Sequence, residues 1–300
     1  MDFGRVASSA LETIDFSLPA DHPQTKAVLA NSKTEKTKVY VGCAKWGRPD
    51  WVGKIYPKGT KADHFLDEYA KQFNCIEFNA IYYKLPDAAQ IEKWKAKVGK
   101  DFLFCPKFTD VITHLKRLKN ADHELNLFLE AIYGLDAHLG PVFLMPHPQM
   151  GPKDLNTIKE FLSSIPQEIN LFVEFRHPDW FTAPHSDTMF SLLEAMKMGS
   201  VITDAAGRRD CVHMRLTKPE AFIRFVGNSL HRSDYERIDE WVQRIKSWMS
   251  QGLRSCYFFM HQHDELYSPE LCKYLIEQLN QHCELSIPVP RFQDEQLGLF

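Results

Sequence analysis

Eight short apolar runs, separated by stretches of helical periodicity, constrain this chain more than any other feature of its sequence. The runs are Lys38–Cys43, Cys75–Asn79, Phe102–Cys105, Pro141–Met145, Asn170–Phe175, Ser200–Thr203, Ala221–Val226 and Ser255–Met260. They are near-continuously hydrophobic, which suits parallel strands covered on both faces. The gaps carry a different period. His64–Phe73 places Phe65, Leu66, Tyr69 and Phe73 on one stripe, and Asp122–Leu139 repeats Leu, Phe and Ile at helical spacing. Ser233-x-x-Glu236 reads as a capping box ahead of Ile238, Trp241, Ile245 and Trp248. Ser268-Pro269-Glu270 reads as a helix start leading into Leu271, Leu275 and Leu279.

Strands alternating with helices predict βαβ units, and eight such units predict closure into a (β/α)8 TIM-type barrel. An open doubly wound sheet is the alternative. It lacks the Gly-x-Gly-x-x-Gly or phosphate-loop run that would follow a strand in such folds. Ala205–Glu220 is short and polar, so the sixth helix is expected to be missing or degenerate. The barrel is assigned to residues 37–283. Residues 1–36 are read as a weakly structured extension on the surface, and 284–300 as an extended tail in which Pro288 and Pro290 oppose helix.

With 44% hydrophobic and 25% charged residues, the composition is that of an ordinary globular chain. The formal net charge of −3 excludes a global basic field and leaves room only for a local basic cleft. The seven cysteines include no C-x-x-C pair, and most lie in apolar runs, so buried thiols in a reducing compartment are expected. No secretory leader or membrane-length apolar run is legible, and the expected location is the cytoplasm, away from membranes.

In a barrel, side chains at the carboxyl ends of the strands share one mouth. Glu77 and Glu174 each interrupt an apolar strand, where an unpaired charge is costly. One reading makes one of them a general base or metal ligand and the other its partner. The other reading pairs them with Lys107, Arg176 or Arg224. Those three cations come from three strands and, if they converge, form a site for phosphate or carboxylate. His177, His261 and His263, with Glu77, Glu174 and Asp204, raise a divalent metal as a candidate cofactor, although no compact ligand spacing such as His-Glu-x-x-His is present. Trp46, Trp51, Tyr56, Tyr82, Tyr83 and Trp180 follow strands and could stack a sugar or base, or simply pack the loops. The last five residues contain Gln296, Leu297, Leu299 and Phe300, which resemble the peptide by which bacterial DNA-processing proteins hold the sliding clamp. Two Leu and a Phe would anchor such a tail in an apolar groove.

Several of these pieces together resemble the YecE-like family, also called domain of unknown function 72. They are Asp50-Trp51 with Tyr56-Pro57, the run Phe73–Asn79 with Tyr83 and Pro86, Phe104–Lys107 with Thr113-His114, Leu139-Gly140-Pro141, and Glu174–Phe181. They span residues 38–265, and Glu-Phe-Arg-His-x-x-Trp is the most specific. The resemblance implies a TIM-type barrel related in architecture to sugar isomerases and apurinic-site endonucleases, and it implies no reaction. The chain departs from the family pattern at Cys43-Ala44-Lys45, at Met145-Pro146-His147-Pro148 and at Phe225-Val226-Gly227. The positions that do carry over are Glu77, Asn79, Tyr83, Lys107, His114, Glu174, Arg176, His177 and Arg224.

The leading expectation is an enzyme on a phosphate-bearing small molecule, nucleotide or nucleic acid, performing phosphoester hydrolysis. Glu77, Glu174 and His177 would be catalytic, and Asn79, Tyr83, Lys107, His114, Arg176 and Arg224 would bind substrate. Two alternatives stand beside it. One is a sugar isomerase or glycoside-processing enzyme. The other is a non-catalytic protein recruited by its C-terminal tail.

Overall fold

A computed structural model describes residues 3–32 and 36–293. The strands fall where the apolar runs lie: β1 (Lys38–Cys43), β2 (Cys75–Phe78), β3 (Leu103–Pro106), β4 (Val142–Leu144), β5 (Leu171–Val173), β6 (Gly199–Asp204), β7 (Glu220–Gly227) and β8 (Ser255–Gln262). The helices are α1 (Pro23–Ala30), α2 (Phe65–Gln72), α3 (Ala88–Lys95), α4 (Asp122–Tyr133), α5 (Leu155–Ser163), α6 (His185–Ala195), α7 (Arg232–Gln251) and α8 (Ser268–Cys283). Between β6 and β7 the chain makes only a single 3-10 turn, Arg209–Cys211.

The strands form a mixed α/β fold built on a curled parallel sheet of six strands, in the order β1-β8-β7-β6-β5-β4. β2 and β3 form a separate parallel pair. The ladder of hydrogen bonds therefore does not run unbroken through eight strands, as the barrel expectation required. Side chains explain the break beside β1. Asn74 accepts from the Val41 N–H at 2.9 Å and donates to the Val39 carbonyl at 3.0 Å. The Tyr69 hydroxyl accepts from the Cys43 N–H at 2.7 Å and donates to the Cys75 carbonyl at 3.0 Å. The β1 edge that would have paired with β2 is satisfied by Asn74 and Tyr69 instead. Gly42 permits this approach, since a Cβ there would lie 2.1 Å from the Cys75 carbonyl oxygen. On the other side, Gly140 donates to the Phe104 carbonyl at 2.7 Å, and Phe108 donates to the Phe143 carbonyl at 3.1 Å.

Period-2 alternation along the strands splits the core in two. One cluster lies inside the curl and joins Cys75, Cys105, Phe143, Phe172, Val201, Phe222, Tyr257 and Phe259. The larger cluster lies between strands and helices, and includes Val41, Ile76, Phe104, Val173, Ile223 and Phe258 with Leu66, Phe128, Trp241 and Leu275.

Local rules account for the helix ends. Asp87 caps α3 by accepting from the Gln90 N–H at 2.8 Å. The α7 cap differs from the capping box expected at Ser233. Helix α7 begins at Arg232, and it is the His231 imidazole that accepts from the Ser233 N–H, at 3.3 Å. Helix α7 stops at Gly252, whose φ of +115° favours glycine and where a Cβ would also meet the Leu29 carbonyl oxygen at 2.5 Å.

The N-terminal segment is tied down along much of its length. Trp248 donates to Asp21 at 3.0 Å, and Leu18 donates through its backbone to Glu240 at 2.7 Å. Thr25 donates to the Met214 carbonyl at 3.0 Å. Thr25 and Leu29 are fully buried, and these anchors give α1 a place against α7 and the segment after β6. Past α8 the chain turns back, and the Arg291 and Gln293 N–H groups donate to Gln72 and to the Lys54 carbonyl, both at 2.8 Å. The clamp-like residues Gln296, Leu297, Leu299 and Phe300 lie outside the described residues. All seven cysteines are free and buried. Among the described residues, no helix is long and apolar enough to cross a membrane.

Candidate functional site

The alternation that builds the inner core also builds the site. Two residues beyond the inner apolar side chains of six strands lie Glu77, Lys107, Glu174, Thr203, Arg224 and His261. Each continues the inward face of its strand, so together they form the polar layer next to the carboxyl ends. Asp204 is one residue out of this register. It faces the helices, where it accepts from Trp241 at 2.8 Å and from Arg237 at 2.9 Å.

Arg224 is the centre of the layer and is only 1% exposed. Its Nε and Nη2 donate to the two oxygens of Glu77 at 2.8 and 2.9 Å, and its Nη1 donates to Glu174 at 2.6 Å. Asn79 adds a bond to Glu77 at 2.9 Å, and His261 donates to the same carboxylate through Nε2 at 2.9 Å. Glu174 also accepts from Arg176 Nε at 2.9 Å and from the Thr203 hydroxyl at 3.1 Å. All four carboxylate oxygens are thereby engaged.

The electrostatics follow from this geometry. Burial alone would raise the Glu77 carboxyl, but Arg224 and then His261 hold it well below the usual range. Burial likewise opposes ionisation of Glu174, and Arg176 and Arg224 overcome it, bringing it to about 2. Burial would lower His261, yet facing Glu77 raises it. Lys107 has a different fate. Among the described residues no carboxylate pairs with its ammonium, which lies 4.0 Å from the centre of the Tyr82 ring. Burial and the nearby Arg224 lower it to about 8, against the pull of Glu77 and Glu174.

Tyr82 connects Lys107 to His114. Its hydroxyl lies 3.1 Å from His114 Nδ1, and the Thr113 hydroxyl lies 2.8 Å from the same nitrogen. Burial, His147 and Lys107 lower His114 to about 4, so the imidazole is neutral at ordinary pH. The structure thus brings together Glu77, Asn79, Lys107, His114, Glu174, Arg176 and Arg224. It does not bring in His177, which caps the 3-10 turn Pro178–Phe181 by accepting from the Asp179 N–H at 3.3 Å. His177 lines a neighbouring groove of about 700 Å³ with Lys116, Arg117, Lys119 and Lys153. Tyr83 is 80% exposed at the rim, edge-on to Tyr82.

Among the described residues, no three His, Cys, Asp or Glu side chains are grouped to hold a metal ion. The candidate ligands Glu77 and Glu174 converge instead on the Arg224 guanidinium. Asp204 and His177 lie outside the layer.

Two participants were not legible as such. Thr203 carried no charge to mark it, although its spacing from Val201 repeats that of Glu77 from Cys75. Phe3 gave no signal at all. Its ring lies 4.1 Å from the Arg176 guanidinium and 5.1 Å from that of Arg208, so the N-terminal segment covers Arg176.

Comparison with known proteins agrees with this architecture. The family model described as "Protein of unknown function DUF72" matches residues 40–294. The UPF0759 protein YecE of Escherichia coli (strain K12) is 31% identical over 260 residues, covering 80% of this chain and 92% of that protein. A DUF72 family protein from Thermotoga maritima superimposes with a TM-score of 0.62 at 22% identity, over 83% of this chain and all of that one. Another from Enterococcus faecalis V583 gives 0.64 at 16% identity, over 84% of this chain and 98% of its own. At those identities the two structures speak for the fold alone. The family match and the E. coli relative together place this chain in the DUF72, or YecE-like, family.

Proposed function

We propose that this chain is an enzyme that holds a phosphate-bearing substrate at the carboxyl ends of its strands, with Lys107 and Arg176 facing the anion and His114 beside them. The observation that carries this reading is the division of charge in the polar layer. Both glutamates are spent on Arg224 and Arg176, so among the described residues no carboxylate pairs with the Lys107 cation. The bond from Arg176 to Glu174 uses only Nε, so its terminal nitrogens still suit a phosphate oxygen. Glu77 and Glu174 then serve as positioning groups that act through the two arginines, because their oxygens are already engaged.

The basic groove of Lys116, Arg117, Lys119, Lys153 and His177 favours a nucleotide or nucleic-acid phosphate over a bare small anion. Its link to the layer runs through His147, whose ring lies 5.1 Å from that of His114. The same reading takes the eight strands as a closed (β/α)8 barrel. It is supported by the side-chain bridges from Asn74 and Tyr69 and by the inner cluster shared between β2, β3 and the six-stranded sheet.

Calorimetric titration with inorganic phosphate, ribose 5-phosphate and ribose tests the proposal. Ribose 5-phosphate should bind while ribose does not, and Arg176→Gln should weaken binding about tenfold or more through loss of a charge-assisted bond. Equal binding of ribose and ribose 5-phosphate would sink it in favour of a sugar site.

A further inference from the structure

We propose that Lys107 is a nucleophilic amine that forms an imine with the open-chain carbonyl of a phosphorylated sugar; this rests on the phosphate-binding reading above. A buried ammonium kept for structure is ordinarily neutralised by a carboxylate, because desolvating an unpaired charge is costly. Two buried carboxylates share this layer, and Arg224 and Arg176 take both. Arginine stays charged at any ordinary pH, whereas a lysine can give up its proton. The layer therefore spends its negative charge on Arg224, Arg176 and the His261 imidazole, and among the described residues the Lys107 ammonium has no carboxylate paired with it. Lys107 is 9% exposed, at the end of β3, and its nitrogen sits against the Tyr82 ring with Arg224 and Arg176 as cationic neighbours. Desolvation combined with adjacent cations is how a lysine is activated as a nucleophile. Burial and those cations bring it to about 8.

The step balances without a redox partner. The neutral Lys107 nitrogen attacks the carbonyl carbon, a C–N bond forms, and the C=O π pair moves to oxygen, which takes up the proton lost by nitrogen. The carbinolamine then loses its hydroxyl with a second proton as one water, leaving the C=N bond. Arg176 holds the phosphate during both stages.

The test is reductive trapping. The full chain is incubated with glycolaldehyde phosphate, or with glycolaldehyde, in the presence of cyanoborohydride, and the adduct is mapped by peptide mass spectrometry. A lysine at about 8 holds roughly two hundredfold more free amine at neutral pH than one at about 10.4. Trapping at Lys107 should therefore outpace that at surface lysines by roughly tenfold or more, be slowed by inorganic phosphate, and disappear in Lys107→Arg. Its rate should rise with a midpoint near pH 8. Uniform labelling of surface lysines with no enrichment at Lys107 overturns the inference. Phosphate binding without enrichment at Lys107 removes only the imine. Enrichment equal for glycolaldehyde and its phosphate keeps the imine and removes the phosphate reading.

Discussion

Arg224 grips Glu77 through two parallel hydrogen bonds, Nε to Oε2 at 2.8 Å and Nη2 to Oε1 at 2.9 Å. The two residues are 147 positions apart and sit on strands that share no ladder, β7 in the six-stranded sheet and β2 in the separate pair. The pair is thus both a tie across the interior and the anchor of the polar layer. Glu77→Gln removes a buried charge from a partner that cannot shed its own. A loss of about 3–5 kcal/mol is expected from breaking such a pair, measured by urea unfolding. Replacing both partners with apolar residues should cost much less, and a double-mutant cycle reads the difference.

The same carboxylates set the acid limit of the fold. Glu174 is held at about 2, and Glu77 is also depressed. A carboxyl depressed in the folded state contributes stability that is present above its unfolded value of about 4.3 and lost as pH falls through the folded value. The urea midpoint should therefore drop between about pH 4.5 and about pH 2. Glu174→Gln should start lower and show a shallower fall in that window. An unchanged profile would contradict the depressed carboxyl.

Lys107 predicts a second rise of stability with pH, at the alkaline end. Its folded value is about 8, below the unfolded value of about 10.4. Between those values the unfolded chain binds more protons, so its contribution to stability rises with pH. The stability difference between the parent and Lys107→Met should shift in the parent's favour from about pH 8 to about pH 10.4. Phosphate affinity should fall across the lower part of the same range, as the ammonium is lost, and calorimetry at several pH values checks both.

The Phe3 ring lies 4.1 Å from the Arg176 guanidinium and would compete with an anion for that cation. A cation–π contact at such a site is worth about 0.5–1 kcal/mol. Phe3→Ala should therefore tighten phosphate binding by roughly two- to fivefold while leaving the unfolding midpoint nearly unchanged. Weaker binding would show instead that the ring is part of the binding surface.

The β1 edge gives a test of how the sheet ends are joined. Tyr69→Phe strands the buried Cys43 N–H and Cys75 carbonyl, and should cost about 1–3 kcal/mol in denaturant unfolding. Asn74→Ala, which strands groups of Val39 and Val41, should cost a similar amount.

The strands and most helices were legible because their signal is local. Lys38–Cys43 is largely apolar, carries two β-branched valines and follows a polar stretch, and it folds as β1 with those limits. The charged members of the site were legible for a related reason. Glu77, Glu174 and Arg224 interrupt apolar strands, and a charge there must be paired or used. What each residue does was not legible, because it depends on which oxygen meets which nitrogen across 50 or more positions of sequence. The sequence alone determined the alternation of strand and helix and the identity of the residues able to carry chemistry. Only the tertiary structure decided that both glutamates are taken by arginines, that Lys107 has no carboxylate partner among the described residues, and that Asn74 and Tyr69 stand in for a ladder between β1 and β2. The physical reason is that pairing in a buried layer is a competition among groups brought together by folding, and its outcome is set by distance and desolvation rather than by order along the chain.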